Sequence, residues 1–191
     1  MIEVPKVSLL FCLALTACAS IQPQVVGQGD RYGATASVDE DYALGIGDRV
    51  RLTVYREDTL SGEYPVNPSG NLALPLVGEV RALGSTTAAL GKVIQARLAD
   101  GYLVNPRVSV EMATYRPVFV LGEVRTPGQY PYSSGLTVLN AIASAGGFTP
   151  RAEKRVIYIR QPGANDEKAY RLKPGLMIRP GDTVRLGERL F

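Results

Sequence analysis

The 191-residue chain has no histidine and no tryptophan, and only two cysteines, Cys12 and Cys18, both close to the N-terminus. Without histidine it lacks the side chain that ordinarily titrates near neutral pH and the commonest protein metal ligand. Without tryptophan it lacks the strongest stacking platform for sugars, although ten Tyr and four Phe remain. Two N-terminal thiols build neither a disulfide framework nor a cysteine zinc site. Charge of one sign is also scarce: 21 basic residues face 18 acidic ones, a net charge of +3 that argues against a dedicated nucleic-acid binder. Hydrophobic residues make up 46% of the chain and charged ones 20%, an ordinary globular balance, and 20 Gly with 13 Pro point to many turns and a β-rich architecture.

Long hydrophobic runs are missing too. The one from Val7 to Ala17 is 11 residues, too short for a membrane-spanning helix but suited to the core of a signal peptide after Lys6. It ends in Leu15-Thr16-Ala17-Cys18, which resembles the lipobox of bacterial lipoproteins. Residues 1–17 are therefore expected to be a lipoprotein signal and Cys18 the lipid-attachment site, the alternative being a secretory signal with an incidental cysteine. Two or more acyl chains there would anchor the protein stably, where one would not. In lipoproteins generally a residue other than Asp after the Cys permits sorting to the outer membrane, and here it is Ala19. Residues 18–41, rich in Gln, Gly, Ala and Ser, read as a flexible tether. Asp39-Glu40-Asp41 within them is a carboxylate run of the kind that is usually solvated.

Two folded units are expected, 42–113 and 114–191, together an α+β chain. In the first, Gly45-Ile46-Gly47-Asp48 turns into a strand with Val50, Leu52 and Val54 on one face. Leu72, Leu74 and Leu76 alternate in another strand after the Asn67-Pro68-Ser69-Gly70 turn. Ser85 and Thr86 are candidate caps for a helix reaching about Asp100, stopped by Gly101, with Leu90, Val93, Ile94 and Leu98 as its buried stripe. Val108, Val110 and Met112 mark the next strand, giving a β-β-α-β unit.

In the second unit Gly122-Glu123-Val124-Arg125 echoes Gly78-Glu79-Val80-Arg81. A helix is expected over Thr137 to Ala145 with Val138, Leu139 and Ile142 inward, and strands over Val156 to Arg160, Ala169 to Leu172 and Thr183 to Leu186. Pro180-Gly181-Asp182 repeats the opening Gly-Asp turn.

These motifs carry a resemblance. Tyr42-x-Leu44-Gly45-x-Gly47-Asp48, Gly70, Pro75-Leu76-Val77-Gly78, Gly84 and Leu103-Val104-Asn105-Pro106-Arg107-Val108 resemble the polysaccharide biosynthesis/export family, the exporters of Wza type. Val120-x-Gly122-Glu123-Val124-x-x-Pro127-Gly128-x-Tyr130, Thr137-Val138-Leu139 and Ala145-Gly146-Gly147 look like a soluble-ligand-binding β-grasp (SLBB) domain. The resemblance implies a lipid-anchored protein on the periplasmic face of the outer membrane, helping to export capsular or exopolysaccharide. It further implies a homo-oligomeric ring around a polymer and an inner-membrane co-polymerase as partner. Relatives that cross the outer membrane carry a further C-terminal helix; ending at Phe191, this chain is expected to cross nothing itself and to depend on a separate outer-membrane channel or another means of crossing. A monomeric glycan-binding or regulatory adaptor is the alternative.

No enzyme is expected. Gly45-x-Gly47 has Val50 in place of the third glycine of a dinucleotide fingerprint and precedes a strand instead of following one, and there is no phosphate-binding GxxxxGK[ST]. Glu57-Asp58, and Glu79 with Glu123, are conceivable glycosidase carboxylates, but the latter pair recurs in the echo, which favours a structural role. Tyr55, Tyr64, Tyr102, Tyr115, Tyr130 and Tyr132 are conceivable sugar platforms, though tyrosines in strands are more often half-buried packing. No catalytic residue, cofactor or metal is expected.

Overall fold

A computed structural model describes Val25 and residues 42–189. The signal, Cys18 and Asp39-Glu40-Asp41 lie outside the described residues, as does the tether except for Val25, which bridges in parallel to Ala169.

The first unit contains β1 (Arg49–Val54), β2 (Gly62–Pro65), β3 (Asn71–Leu74), β4 (Gly78–Arg81), α1 (Thr87–Ala99) and β5 (Val108–Thr114). β1 is central in an antiparallel sheet ordered β2-β1-β5, and β3 and β4 form a hairpin. Strict alternation in β1 buries Val50, Leu52 and Val54 and exposes Arg49, Arg51 and Thr53. Four strands, not two, precede the helix; β2 (Gly-Glu-Tyr-Pro) and β4 (Gly-Glu-Val-Arg) carry no run of alternating apolar residues to announce them. Leu76 departs from its expected place: β3 ends at Leu74, and Leu76 sits in the following turn with φ of 66° and its side chain exposed. The Asn67–Gly70 turn closes as expected, the Gly70 amide donating to the Asn67 carbonyl at 2.8 Å.

Helix α1 is capped by Thr86, whose hydroxyl accepts from the Ala89 amide at 3.2 Å. Its buried positions are Leu90, Gly91, Ile94 and Leu98, whereas Val93, expected in the stripe, is 45% exposed. The helix docks chiefly on β5 and to a lesser extent on β4, and its buried face is narrower than a full amphipathic stripe. Gly91 faces Val110 of β5, where an added Cβ would make an ordinary contact at 3.6 Å.

The second unit contains β6 (Val118–Gly122), β7 (Gly128–Tyr130), α2 (Val138–Ser144), β8 (Ala152–Arg160), β9 (Lys168–Arg171) and β10 (Thr183–Glu188). Its mixed five-stranded sheet has the order β7-β6-β10-β8-β9, with first and last strands, β6 and β10, paired in parallel at the centre. One face buries Val118, Val120, Ile157, Ile159, Tyr170, Val184 and Leu186 in a core shared with Val138, Ala141 and Ile142 of α2. Ala141 takes the inward position expected of Leu139, which is half-buried. This is the helix-on-mixed-sheet arrangement of a β-grasp, and the chain is α+β as its pattern implied.

The Gly-Glu-Val-Arg echo is not a structural repeat. In the first copy all four residues form β4; in the second Gly122 ends β6 and the remaining three follow it. Only the inward valine is common, Val80 and Val124 both being buried.

Candidate functional site

The most connected polar cluster lies where the two units meet. Asp48 is fully buried at the head of β1, and its carboxylate collects donors from both sides of the joint. Oδ2 accepts from the Gly45 amide at 2.7 Å and the Tyr42 hydroxyl at 2.6 Å, while Oδ1 accepts from the Arg116 amide at 2.7 Å. The Arg116 guanidinium lies 3.7 Å from Oδ2, and its Nε donates to the Pro180 carbonyl at 3.0 Å. The Gly181 amide donates to the Pro117 carbonyl at 3.0 Å. A buried carboxylate is tolerated only when paired and hydrogen-bonded, and Asp48 meets both conditions.

The echoed Gly-Asp turns are superposable in their hydrogen bonding. Gly45 N–H donates to the Asp48 carboxylate and Asp48 N–H to the Gly45 carbonyl at 3.1 Å. Arg179 N–H donates to the Asp182 carboxylate at 2.8 Å and Asp182 N–H to the Arg179 carbonyl at 3.1 Å. Both aspartates are fully buried. Arg116 passes between the two turns, which explains two glycines: a Cβ on Gly45 would lie 1.1 Å from Arg116 Nη1, and one on Gly181 would lie 2.6 Å from Nε. At Gly181 φ is 82°, a second reason for glycine.

Aromatic rings continue the joint. Tyr42 meets Tyr115 edge-on at 5.1 Å, Tyr115 meets Tyr132 at 5.2 Å, and Tyr115 packs against both cores. Burial, the hydrogen bond to Asp48 and that neighbour's negative charge push the Tyr42 phenol far above its ordinary value, so it stays a neutral donor.

The other candidates do not converge. Glu57 and Asp58 occupy the turn between β1 and β2, where the Glu57 carbonyl accepts from the Ser61 amide at 3.1 Å. Glu79 is exposed on β4, accepting from the Asn71 side-chain amide at 2.7 Å, whereas Glu123 sits in the other unit and accepts from the Thr149 hydroxyl. Tyr64 and Tyr130 donate to the Leu60 and Thr126 carbonyls, Tyr132 is buried, and Tyr55 and Tyr102 are exposed. Among the described residues no group of three His, Cys, Asp or Glu is placed to hold a metal, and no helix is long and apolar enough to cross a membrane. Arg116 escaped the sequence reading. Its one signal was position, in Tyr115-Arg116-Pro117 between two units that each bring a Gly-Asp turn.

These two units define a class of protein: a polysaccharide-export domain followed by an SLBB domain. The family model for polysaccharide biosynthesis/export proteins matches residues 36–113 and the SLBB model residues 117–173. The chain belongs to the polysaccharide biosynthesis/export family. It is 42% identical over 128 residues to the exopolysaccharide production protein ExoF of Rhizobium meliloti, covering 61% of this chain and 30% of that one. It is 30% identical over 167 residues to the polysialic acid transport protein KpsD of Escherichia coli, covering 82% and 30%. It is 30% identical over 141 residues to the EPS I polysaccharide export outer membrane protein EpsA of Ralstonia nicotianae, covering 66% and 36%. The chain thus spans about a third of the length of the curated relatives it matches.

Proposed function

We propose that this chain is a structural component of the bacterial cell envelope that serves in polysaccharide export, contributing wall to a conduit rather than performing chemistry. The observation that carries this reading is the export domain and the SLBB domain held in one orientation by Arg116. Subunits that close into a ring must repeat one contact geometry, and a fixed angle between domains favours closure over open-ended growth. The names of the relatives, which concern exopolysaccharide production, polysialic acid transport and polysaccharide export at the outer membrane, support the same reading. In this scheme Cys18 carries the lipid that holds the protein at the periplasmic face of the outer membrane, residues 18–41 tether the folded part (42–113 the export unit, 114–191 the β-grasp unit), and the polymer moves passively through a homo-oligomeric ring. An inner-membrane co-polymerase feeds it.

Deleting the gene tests the reading. Loss of surface polysaccharide with polymer retained inside the cell is expected. Normal secretion with altered chain length would instead identify a regulatory adaptor. A multi-subunit assembly is expected in mild-detergent extracts, and a Cys18→Ala variant is expected to leave the membrane fraction.

A further inference from the structure

The two units differ sharply in charge. Residues 42–113 carry seven Arg and Lys against seven Asp and Glu, whereas residues 114–191 carry twelve against six, a surplus of six. Much of the surplus lies on the face of the five-stranded sheet opposite α2. The register places Phe119, Thr183 and Arg160 in one row, Leu121, Arg185, Tyr158 and Ala169 in the next, and Val156 with Arg171 in a third. Alternate residues of a strand are about 7 Å apart, which sets the spacing of the rows. Arg185 stacks on Tyr158 at 4.1 Å and pairs with Glu167 at 2.7 Å, so its plane is fixed and its charge partly offset. Arg160 and Arg171 are exposed and have no carboxylate within ion-pair distance among the described residues.

Beside Arg171 this face deepens into a cavity of about 780 Å³, lined by Lys154, Arg155, Val156, Tyr158, Arg171 and Glu188 among others. Its carboxylates are already committed: Glu153 to Arg155 at 3.3 Å and Glu188 to Arg151. Arg171 lines it without a carboxylate partner among the described residues, as does Lys154, whose ammonium lies 5.5 Å from the centre of the Phe148 ring. The face therefore offers guanidinium forks, which match carboxylates, next to aromatic and aliphatic surface suited to the apolar side of a sugar ring.

We propose that this face of the SLBB domain binds an acidic polysaccharide, one whose repeating unit carries a carboxylate. Resting on the export reading, it names the charge class of the polymer that this domain meets. The test is binding of the purified full-length chain to polygalacturonate and to neutral dextran of matched length, followed by calorimetry at fixed salt. Wild type is expected to bind the polyuronate and not the dextran. Arg160→Glu/Arg171→Glu is expected to lose at least about tenfold in affinity per arginine, as loss of a charge-assisted hydrogen bond implies. Arg160→Lys/Arg171→Lys is expected to retain part of the binding, and Lys92→Glu/Arg125→Glu, which makes the same change in net charge elsewhere, to retain nearly all. Equal binding to dextran, unchanged binding by the double Glu variant, or binding only to vesicles of anionic phospholipid would each overturn the proposal. So would self-association that the same two substitutions abolish without effect on polyuronate. Each of these leaves export standing if gene deletion still traps polymer inside the cell.

Discussion

The two Gly-Asp turns make the same internal hydrogen bonds, yet they serve the joint in different ways. The first presents a carboxylate: Asp48 takes the Tyr42 hydroxyl, the Arg116 amide and the Arg116 charge in addition to its own turn. The second presents main chain: the Pro180 carbonyl accepts from Arg116 Nε, and the Gly181 amide donates to Pro117. A short motif can thus be reused as a local fold while its outward role changes. The lock follows from the arginine between the turns, since neither turn reaches the other directly in these bonds.

The comparison breaks most completely at Asp48. Asp48→Ala leaves three donors and a largely buried guanidinium facing a void, and should cost about 3–5 kcal/mol in denaturant unfolding. Next comes Gly45→Ala, which takes the space of the guanidinium and should cost about 1–3 kcal/mol. Because Gly45→Ala already expels Arg116, adding Arg116→Ala should add little, and a double-mutant cycle reads that non-additivity.

A smaller effect is expected from pH. The Tyr42 phenol ionises far above its ordinary value of 10.0 in the folded protein, so folding favours its protonated form. Its contribution is complete below about pH 10, where the unfolded phenol is also neutral, and is lost progressively as pH rises above that. Stability measured between pH 9 and 11 should therefore fall less steeply in Tyr42→Phe than in wild type. The smallest effect tests the helix. Val93→Ser should shift stability by less than about 0.5 kcal/mol, whereas Leu90→Ala, one turn away on the packed face, should cost about 2–5 kcal/mol.

Much of the architecture was written locally. The alternation of Val50, Leu52 and Val54, the Thr86 cap and the Asn67–Gly70 turn are all settled within a few residues, and they appear where the pattern put them. What was misplaced depended on partners far along the chain. Val93 has the spacing of a core residue, but the face of the helix turned to the sheet is narrow and leaves it in solvent. Leu76 continues an apolar alternation, but the chain has already turned. Arg116 is the extreme case: its two principal acceptors lie 68 and 64 residues away, so no local pattern could single it out. The Gly-Asp echo was visible; that one arginine joins its two copies was not.

The lock itself is tested most directly by hydrogen exchange across a denaturant series, read separately on peptides from β1 and from β8. With Arg116 in place, both regions should lose protection in a single coincident transition. In Arg116→Ala they should separate, the two domains opening at different denaturant concentrations. Two transitions in the wild-type protein, or coincident loss in Arg116→Ala, would contradict the claim that this arginine makes the two domains one body.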